Sequence, residues 1–312
     1  MTTEKYGKVM KGLGGLYETR VVTECGTERI LSRAKGILHR DEEKVLVGDN
    51  VRITIDTDTP DGVVISEILP RKNSLIRPPI ANLDYIFIVF AAAKPQPVLE
   101  TVDKLISIAE YNSIVPTVII TKSDLDSRAA EEYYNIYKLA GIPVYKTSSE
   151  SCEGVDMLSE YIKTELSGGK TAAFAGASGV GKSTLMNSLF PNLTLATAEI
   201  SKKIQRGKHT TRHVEIFEID NSDSTGFLAD TPGFSLIDFE RFDFLPIDSL
   251  AGTFRDIAPY IGKCRYVDCA HVGEGADECA VARAVLEGEL SESRLSSYRA
   301  IYRTLKQKKS YN

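Results

Sequence analysis

The chain has 312 residues, with 38 lysines and arginines against 43 acids, a net charge of −5, 42% apolar and 26% charged residues. That composition excludes a disordered or collagenous chain and is long enough for two or three domains. No uninterrupted apolar run approaches the roughly 20 residues of a membrane span, and the opening MTTEKYGKVMKG lacks the apolar centre of a secretory leader, so a cytoplasmic protein without a membrane partner is expected. The modest acidity argues against wholesale coating of nucleic acid but leaves room for local basic patches.

From about Tyr6 to Leu69 the pieces YGKVMKG, GLYETRVV, ERILSRAKGIL, DNVRITI and GVVISEIL are short, rich in β-branched residues and separated by Gly and Asp turns. They predict about five strands in a small barrel, of the OB or the SH3-like type. Arg71, Lys72, Arg77, Pro78 and Pro79 then form a basic, proline-bearing stretch that reads as a linker.

From Tyr85 to about Asp230 apolar strands alternate with amphipathic helices. YIFIVFAAA, PTVIIT, IPVYKTS and KTAAFAG predict buried strands, the segments near 98–112, 126–140 and 154–167 predict helices, and the whole predicts a doubly wound α/β domain. VEIFEID and GFLAD, joined by NSDS, predict an added hairpin. Beyond Phe234 come loops, a Cys/His cluster and a region of helical spacing from about Ala280 to Lys309, in which Arg294, Arg299, Arg303, Lys306, Lys308 and Lys309 suggest a basic surface.

The segment Gly176-Ala177-Ser178-Gly179-Val180-Gly181-Lys182-Ser183 is a complete GxxxxGKS between a predicted strand and the helical run that begins at Thr184. Such a loop turns successive N–H groups onto a β-phosphate; Lys182 bridges the β- and γ-phosphates, and the Ser183 hydroxyl ligates Mg²⁺. Thr121-Lys122-Ser123-Asp124 follows the strand PTVII. Read alone it is as good a helix cap, but beside a phosphate loop the Asp124 carboxylate matches the two donors of guanine, which adenine lacks. The Lys122 stem suits the purine face, and Ser148 and Ser149 suit the guanine O6. Asp230-Thr231-Pro232-Gly233 ends the strand GFLAD, where Asp230 suits Mg²⁺ through water and the Gly233 amide suits the γ-phosphate. Between the two lies IQRGKHTTRH, in which Thr211, ahead of Thr210, is the candidate for a second hydroxyl on Mg²⁺. The stretch from Glu199 to Glu215 carries Lys202, Lys203, Arg206, Lys208 and Arg212 and no acid between its ends, a basic patch suited to RNA phosphates.

The base-reading loops precede the phosphate loop, the reverse of the common order, so the domain reads as circularly permuted. Cys264, Cys269, His271 and Cys279 fall within sixteen residues, a closed set suited to a structural tetrahedral Zn²⁺ with no position left for substrate.

Barrel, permuted GTPase motifs and Cys/His cluster together resemble, over essentially the whole chain, the bacterial small-subunit-dependent GTPase family RsgA, also called YjeQ or YloQ. The resemblance implies a multidomain fold: an OB-fold β-barrel (1–70), a circularly permuted α/β P-loop GTPase domain (71–235) and a C-terminal α-helical zinc-binding domain (236–312). It implies GTP and GDP as ligands, GTP hydrolysis stimulated by the 30S ribosomal subunit in its late maturation, and contact with 16S rRNA but not DNA, by a monomer. It places the nucleotide site on Thr121 to Asp124 and Gly176 to Thr184, the zinc ligands on Cys264, Cys269, His271 and Cys279, and a catalytic role on His209. The chain departs from the family's pattern in three places. Thr121 replaces the usual Asn, SSES-Cys152-Glu-Gly is a loose version of its loop, and seven residues separate His271 from Cys279. Phe234 stands where many GTPases carry a water-orienting Gln, so hydrolysis alone is expected to be slow; the other reading is a nucleotide-sensing rRNA scaffold with negligible hydrolysis.

Overall fold

The computed structural model describes residues 2–35, 44–56, 58, 62–76, 78–191, 214–221, 224–230 and 245–309. His209, Thr210, Thr211, Gly233, Phe234 and the basic stretch between Glu199 and Val214 lie outside the described residues, as does the side chain of Asp230. The chain forms two compact units. One gathers Met1–Asp84, Lys163–Ala173 and Leu195–Phe234; the other gathers Tyr85–Ile162, Phe174–Thr194 and Ser235–Asn312.

In the first unit β1 (Thr2–Leu13), β2 (Leu16–Thr23), β3 (Gly26–Ala34), β4 (Asn50–Asp56) and β5 (Val63–Ile68) take the places the alternating pattern predicts. β1 runs antiparallel to both β2 and β4, β3 lies parallel to β5 through Arg33 and Val64, and β4 closes on β5. The order β1-β2-β3-β5-β4-β1 is a closed five-stranded Greek-key barrel of the OB type, and it excludes the SH3-like alternative. Val9, Val21, Val51, Ile53 and Ile65 fill its interior. The β1–β2 turn is Gly14-Gly15, with φ of +59° and +81°, the left-handed pair that a two-residue hairpin demands.

The basic stretch after the barrel is folded rather than a free linker. Arg71 grips the buried Asp49 with two hydrogen bonds of 2.7 and 2.8 Å, and Lys72 pairs with Asp84 at 2.5 Å. β6 (Ser74–Leu75) and β7 (Ile80–Ala81) form a small hairpin whose Leu75 and Ile80 are buried. Local composition advertised solubility; the buried carboxylate that recruits Arg71 lies 22 residues away.

The α/β stretch runs β8 (Tyr85–Ala91), α1 (Leu99–Tyr111), β9 (Val115–Thr121), α2 (Ser127–Leu139), β10 (Val144–Lys146), α3 (Val155–Glu165), β11 (Thr171–Ala175) and α4 (Lys182–Leu189), all in the second unit except Lys163–Ala173, which belong to the first. β8, β9 and β10 are parallel neighbours, and β8 is buried along its whole length, as expected of a strand covered on both faces. The last residues of β11 lie beside β8, with the Phe87 and Phe174 rings 5.0 Å apart. The loops after β9, β10 and β11 therefore leave parallel strands at their carboxyl ends, where open α/β sheets bind ligands. Asp126 caps α2 by accepting from the Ala129 N–H at 2.9 Å.

In the first unit, β12 (Glu215–Asn221) and β13 (Ser224–Asp230) form the expected hairpin. β13 lies parallel to residues 171–173 of β11, and β12 meets β1 at Glu215 and Lys11. The C-terminal part of the second unit consists of short 3-10 turns, the Cys/His loops, α5 (Ala280–Leu286) and α6 (Glu292–Lys309) around a core of Leu250, Phe254, Ile257, Val281 and Tyr298. Gly288, at φ +75°, separates the two helices. Among the described residues no helix is long and apolar enough to cross a membrane.

Candidate nucleotide and metal sites

Residues 176–183 form the turn between β11 and α4. Gly176 has φ +152°, and a Cβ there would lie 2.1 Å from the Val89 carbonyl oxygen, so the first motif glycine is fixed by contact with β8. Gly179 and Gly181, at φ +78° and +96°, turn the backbone into the N-terminus of α4, where free N–H groups gather. The Lys182 ammonium donates to the Gly176 carbonyl and, at 3.0 Å, to the Ala177 carbonyl; its burial lowers its pKa.

The TKSD segment packs on this loop. The Thr121 hydroxyl lies 2.5 Å from the Val180 carbonyl and 3.2 Å from the Phe90 carbonyl. Lys122, at φ +55°, extends its ammonium to the carbonyls of Gly179 (2.8 Å) and Lys94 (2.6 Å). Two neighbouring residues thus tie the end of β9 to two successive carbonyls of the phosphate loop. The Asn that Thr121 replaces would brace the same loop with an amide, and here the hydroxyl does so. Asp124 is exposed. The Ser123 N–H donates to the Thr147 carbonyl at 3.2 Å, joining this loop to the one after β10. There, Ser148 is buried and accepts from the Ser151 N–H at 3.2 Å, and Ser149 is half-buried. The loose SSESCEG loop closes through Gly154, whose Cβ would lie 2.0 Å from the Lys146 carbonyl oxygen.

In the C-terminal part, His271 Nδ1 lies 3.4 Å from the sulfurs of Cys264 and Cys279 and 3.6 Å from that of Cys269, and Cys264 Sγ is 3.9 Å from Cys279 Sγ. All four ligand atoms lie within 4.8 Å of one another, so the group is able to hold a metal ion. Burial, with the neighbouring thiols, pushes Cys269 up to about 12 and raises Cys279, and burial lowers His271. Crowded thiolates are unfavourable without a cation between them, which is the chemistry of a metal-ligand set. The seven-residue spacer between His271 and Cys279 is absorbed without separating the ligands.

A sequence profile of the RsgA GTPase family matches residues 68–240. The chain is 39% identical over 310 residues, 98% of its length, to the small ribosomal subunit biogenesis GTPase RsgA of Alkaliphilus metalliredigens, of which it covers 99%. The chain belongs to the RsgA GTPase family. It also resembles the crystal structure of YjeQ from Thermotoga maritima, at a TM-score of 0.78 and 31% identity over 97% of this chain and 99% of that one. A second neighbour is YloQ, described as a circularly permuted GTPase, with a TM-score of 0.75 and 34% identity over 98% of this chain and 96% of that one.

This RsgA GTPase is a hydrolase acting on GTP, and its motifs stand in permuted order. One expectation is corrected in its C-terminal helix. Arg294 is not part of a basic surface: it is fully buried, donates to Asp103 of α1 at 2.6 Å and holds Asp256 with bonds of 3.0 and 2.9 Å. Its guanidinium also lies 4.4 Å from the Phe254 ring centroid. Arg299 donates to the His271 carbonyl at 3.1 Å, and the Tyr298 hydroxyl donates to the Ala270 carbonyl at 3.0 Å, so α6 holds the metal-ligand loop in place. Arg303 and Lys306 remain exposed. No sequence signal links Asp103 with Arg294, because the pair spans 191 positions.

Proposed function

We propose that this GTPase acts in biogenesis of the small ribosomal subunit, binding the 30S particle and its 16S rRNA late in maturation and hydrolysing GTP faster when bound. The observation that carries this reading is the double tie from Thr121 and Lys122 to the phosphate loop, which joins the base-reading segment to the phosphate cradle across the permutation. The curated name of the Alkaliphilus metalliredigens relative supplies the ribosomal partner.

In this reading GTP lies on Gly176, Ala177, Ser178, Gly179, Val180, Gly181, Lys182, Ser183 and Thr184. Asp124 accepts from the guanine N1–H and N2–H₂, Lys122 and Thr121 position that loop, and the Ser148–Ser149 backbone serves the O6. Buried Ser123 and Thr147 hydroxyls without partners among the described residues support a polar ligand near these loops. Lys182 moves its hydrogen bonds from the loop carbonyls to the β- and γ-phosphate oxygens and stabilises charge developing there. Ser183, Thr211 and Asp230 would hold Mg²⁺, which offsets phosphate charge when bound. Gly233 senses the γ-phosphate, and His209 orients the attacking water in place of the Gln that Phe234 displaces.

The metal is read as structural Zn²⁺. Tetrahedral Zn²⁺ at about 2.3 Å to sulfur and about 2.0–2.1 Å to nitrogen would suit sulfurs about 3.8 Å apart and a nitrogen about 3.5 Å from sulfur, against 3.9 Å between Cys264 and Cys279, 3.4–3.6 Å from His271 Nδ1 to the three sulfurs, and 4.8 Å at most within the set. The barrel (1–70), GTPase (71–235) and zinc-binding (236–312) segments then work as RNA binder, switch and ribosome-facing module of a cytoplasmic monomer with no membrane or DNA partner.

The test is multiple-turnover phosphate release with and without purified 30S subunits. Stimulation of at least about tenfold is expected, and His209→Ala should remove most of it while leaving GTP binding intact. Equal rates with and without subunits would favour the scaffold reading, and full stimulation of the His209→Ala protein would take the catalytic role from His209.

A further inference from the structure

Lys8 and Arg20 are direct partners across the β1–β2 pair, a like-charge juxtaposition that strands ordinarily avoid. Both lie over one ring: the Lys8 ammonium is 5.2 Å and the Arg20 guanidinium 5.3 Å from the centroid of Phe227 in β13. Arg20 is neutralised by Glu218 at 2.8 Å, which also takes Arg29 at 2.8 Å, and Arg29 has Glu18 at 2.6 Å. Three cations therefore meet two acids. The unmatched charge is Lys8, whose ammonium donates to the neutral Thr171 hydroxyl at 3.2 Å and has no ion pair among the described residues. Burial lowers Lys8 to about 8; Arg20 and Lys72 act in the same direction, and Asp84 and Asp49 oppose them from longer range. Asp84 is occupied by Lys72 and the Thr171 N–H, and Asp49 by Arg71. Keeping such a cation costs stability, and an arriving anion would repay that cost.

Space for one exists. A cleft of about 380 Å³ opens beside Lys8, with Val22, Leu69 and Phe227 as apolar wall and Asn50 as a polar group. Gly7 lines it with backbone alone. Tyr6, two residues before Lys8 on the same face of β1, also lines the cleft and is 58% exposed. A half-buried cation, an exposed aromatic ring and an apolar cleft of this size match one phosphate joined to one planar base.

We propose that this cleft, on the outer face of the barrel beside the β12–β13 hairpin, binds a single nucleoside phosphate unit, its phosphate on Lys8 and its base stacked on Tyr6. The unit is either an unpaired residue of an RNA strand or a free mononucleotide. The chemistry of this cleft is independent of the GTPase reading; where the unit belongs to RNA, it deepens the role proposed for the barrel.

The full chain, with its phosphate loop filled by excess GDP, is titrated with a fluorescein-labelled oligouridylate, with UMP and with inorganic phosphate. Lys8→Gln and Tyr6→Ala are each expected to weaken uridylate binding about tenfold with GTP turnover in the absence of subunits unchanged. Lys8→Gln should unfold at no lower urea concentration than the wild type, because it removes an unmatched charge. Wild-type binding should weaken as pH rises through about 8, where Lys8 loses its proton. Binding of the oligomer but not UMP assigns the site to RNA; binding of both assigns it to either source. No binding of either probe, phosphate binding as tight as UMP, or variants that bind like the wild type would each overturn the proposal. Failure here beside intact 30S stimulation removes the cleft and leaves the GTPase reading standing.

Discussion

Thr121 shows how a departure from a common motif is accommodated. A hydroxyl is shorter than a carboxamide and carries one proton, yet at 2.5 Å from the Val180 carbonyl it spans the gap between β9 and the phosphate loop. A buried neutral hydrogen bond of this kind contributes about 1 kcal/mol, so Thr121→Val should weaken GDP binding about fivefold, while Thr121→Ser stays near the wild type. Fluorescent-GDP titration checks this, and equal affinity in all three proteins would show that the hydroxyl does not brace the loop. The glycines of the loop were legible from spacing alone. The bracing hydroxyl was not, because Thr121 reads in sequence as the end of a β-branched strand.

Among the elements, the junction of α1 with α6 carries a buried ion network. One guanidinium meets two carboxylates at Asp103 and Asp256, all nearly inaccessible to water. Removing one partner of such a network costs about 3–5 kcal/mol, because the remaining charges are stranded. Arg294→Ala should lower the stability of this unit by that order in urea unfolding, and a loss below about 0.5 kcal/mol would mean the network stays solvated in solution. The Cys/His loops have few apolar side chains and are held by the cluster and by Tyr298 and Arg299. Chelation, or Cys279→Ser, should therefore expose this segment to proteolysis before the rest of the chain, and metal binding should weaken as pH falls, because protons compete for the thiolates. Equal protease resistance with and without chelator would contradict a folding role for the metal. Cysteine spacing made this cluster legible. The helix that carries Arg294 read as a basic surface because its buried acids lie far away in sequence.

At the scale of the whole molecule, the order of the motifs made the permutation legible, and periodicity showed the α/β alternation and a barrel, though not its OB type. Buried parallel strands such as YIFIVFA are continuous apolar runs, and barrel strands alternate. What local pattern does not encode is long-range pairing. The antiparallel meeting of β1 with β12 at Lys11 and Glu215, reinforced by their 2.7 Å ion pair, joins residues 204 positions apart. The basic stretch from Arg71 to Pro79 likewise looked like a linker because the partner of Arg71, Asp49, belongs to a different stretch of chain. The proposed function has an acid encoded before the phosphate loop select the base held in it. Its most direct test is competitive binding of GDP, XDP and ADP to the wild type and to Asp124→Asn. The wild type should prefer GDP over XDP by at least about 100-fold, and the variant should lose that preference and gain affinity for XDP. Retention of the wild-type GDP preference by the Asp124→Asn protein would contradict the claim.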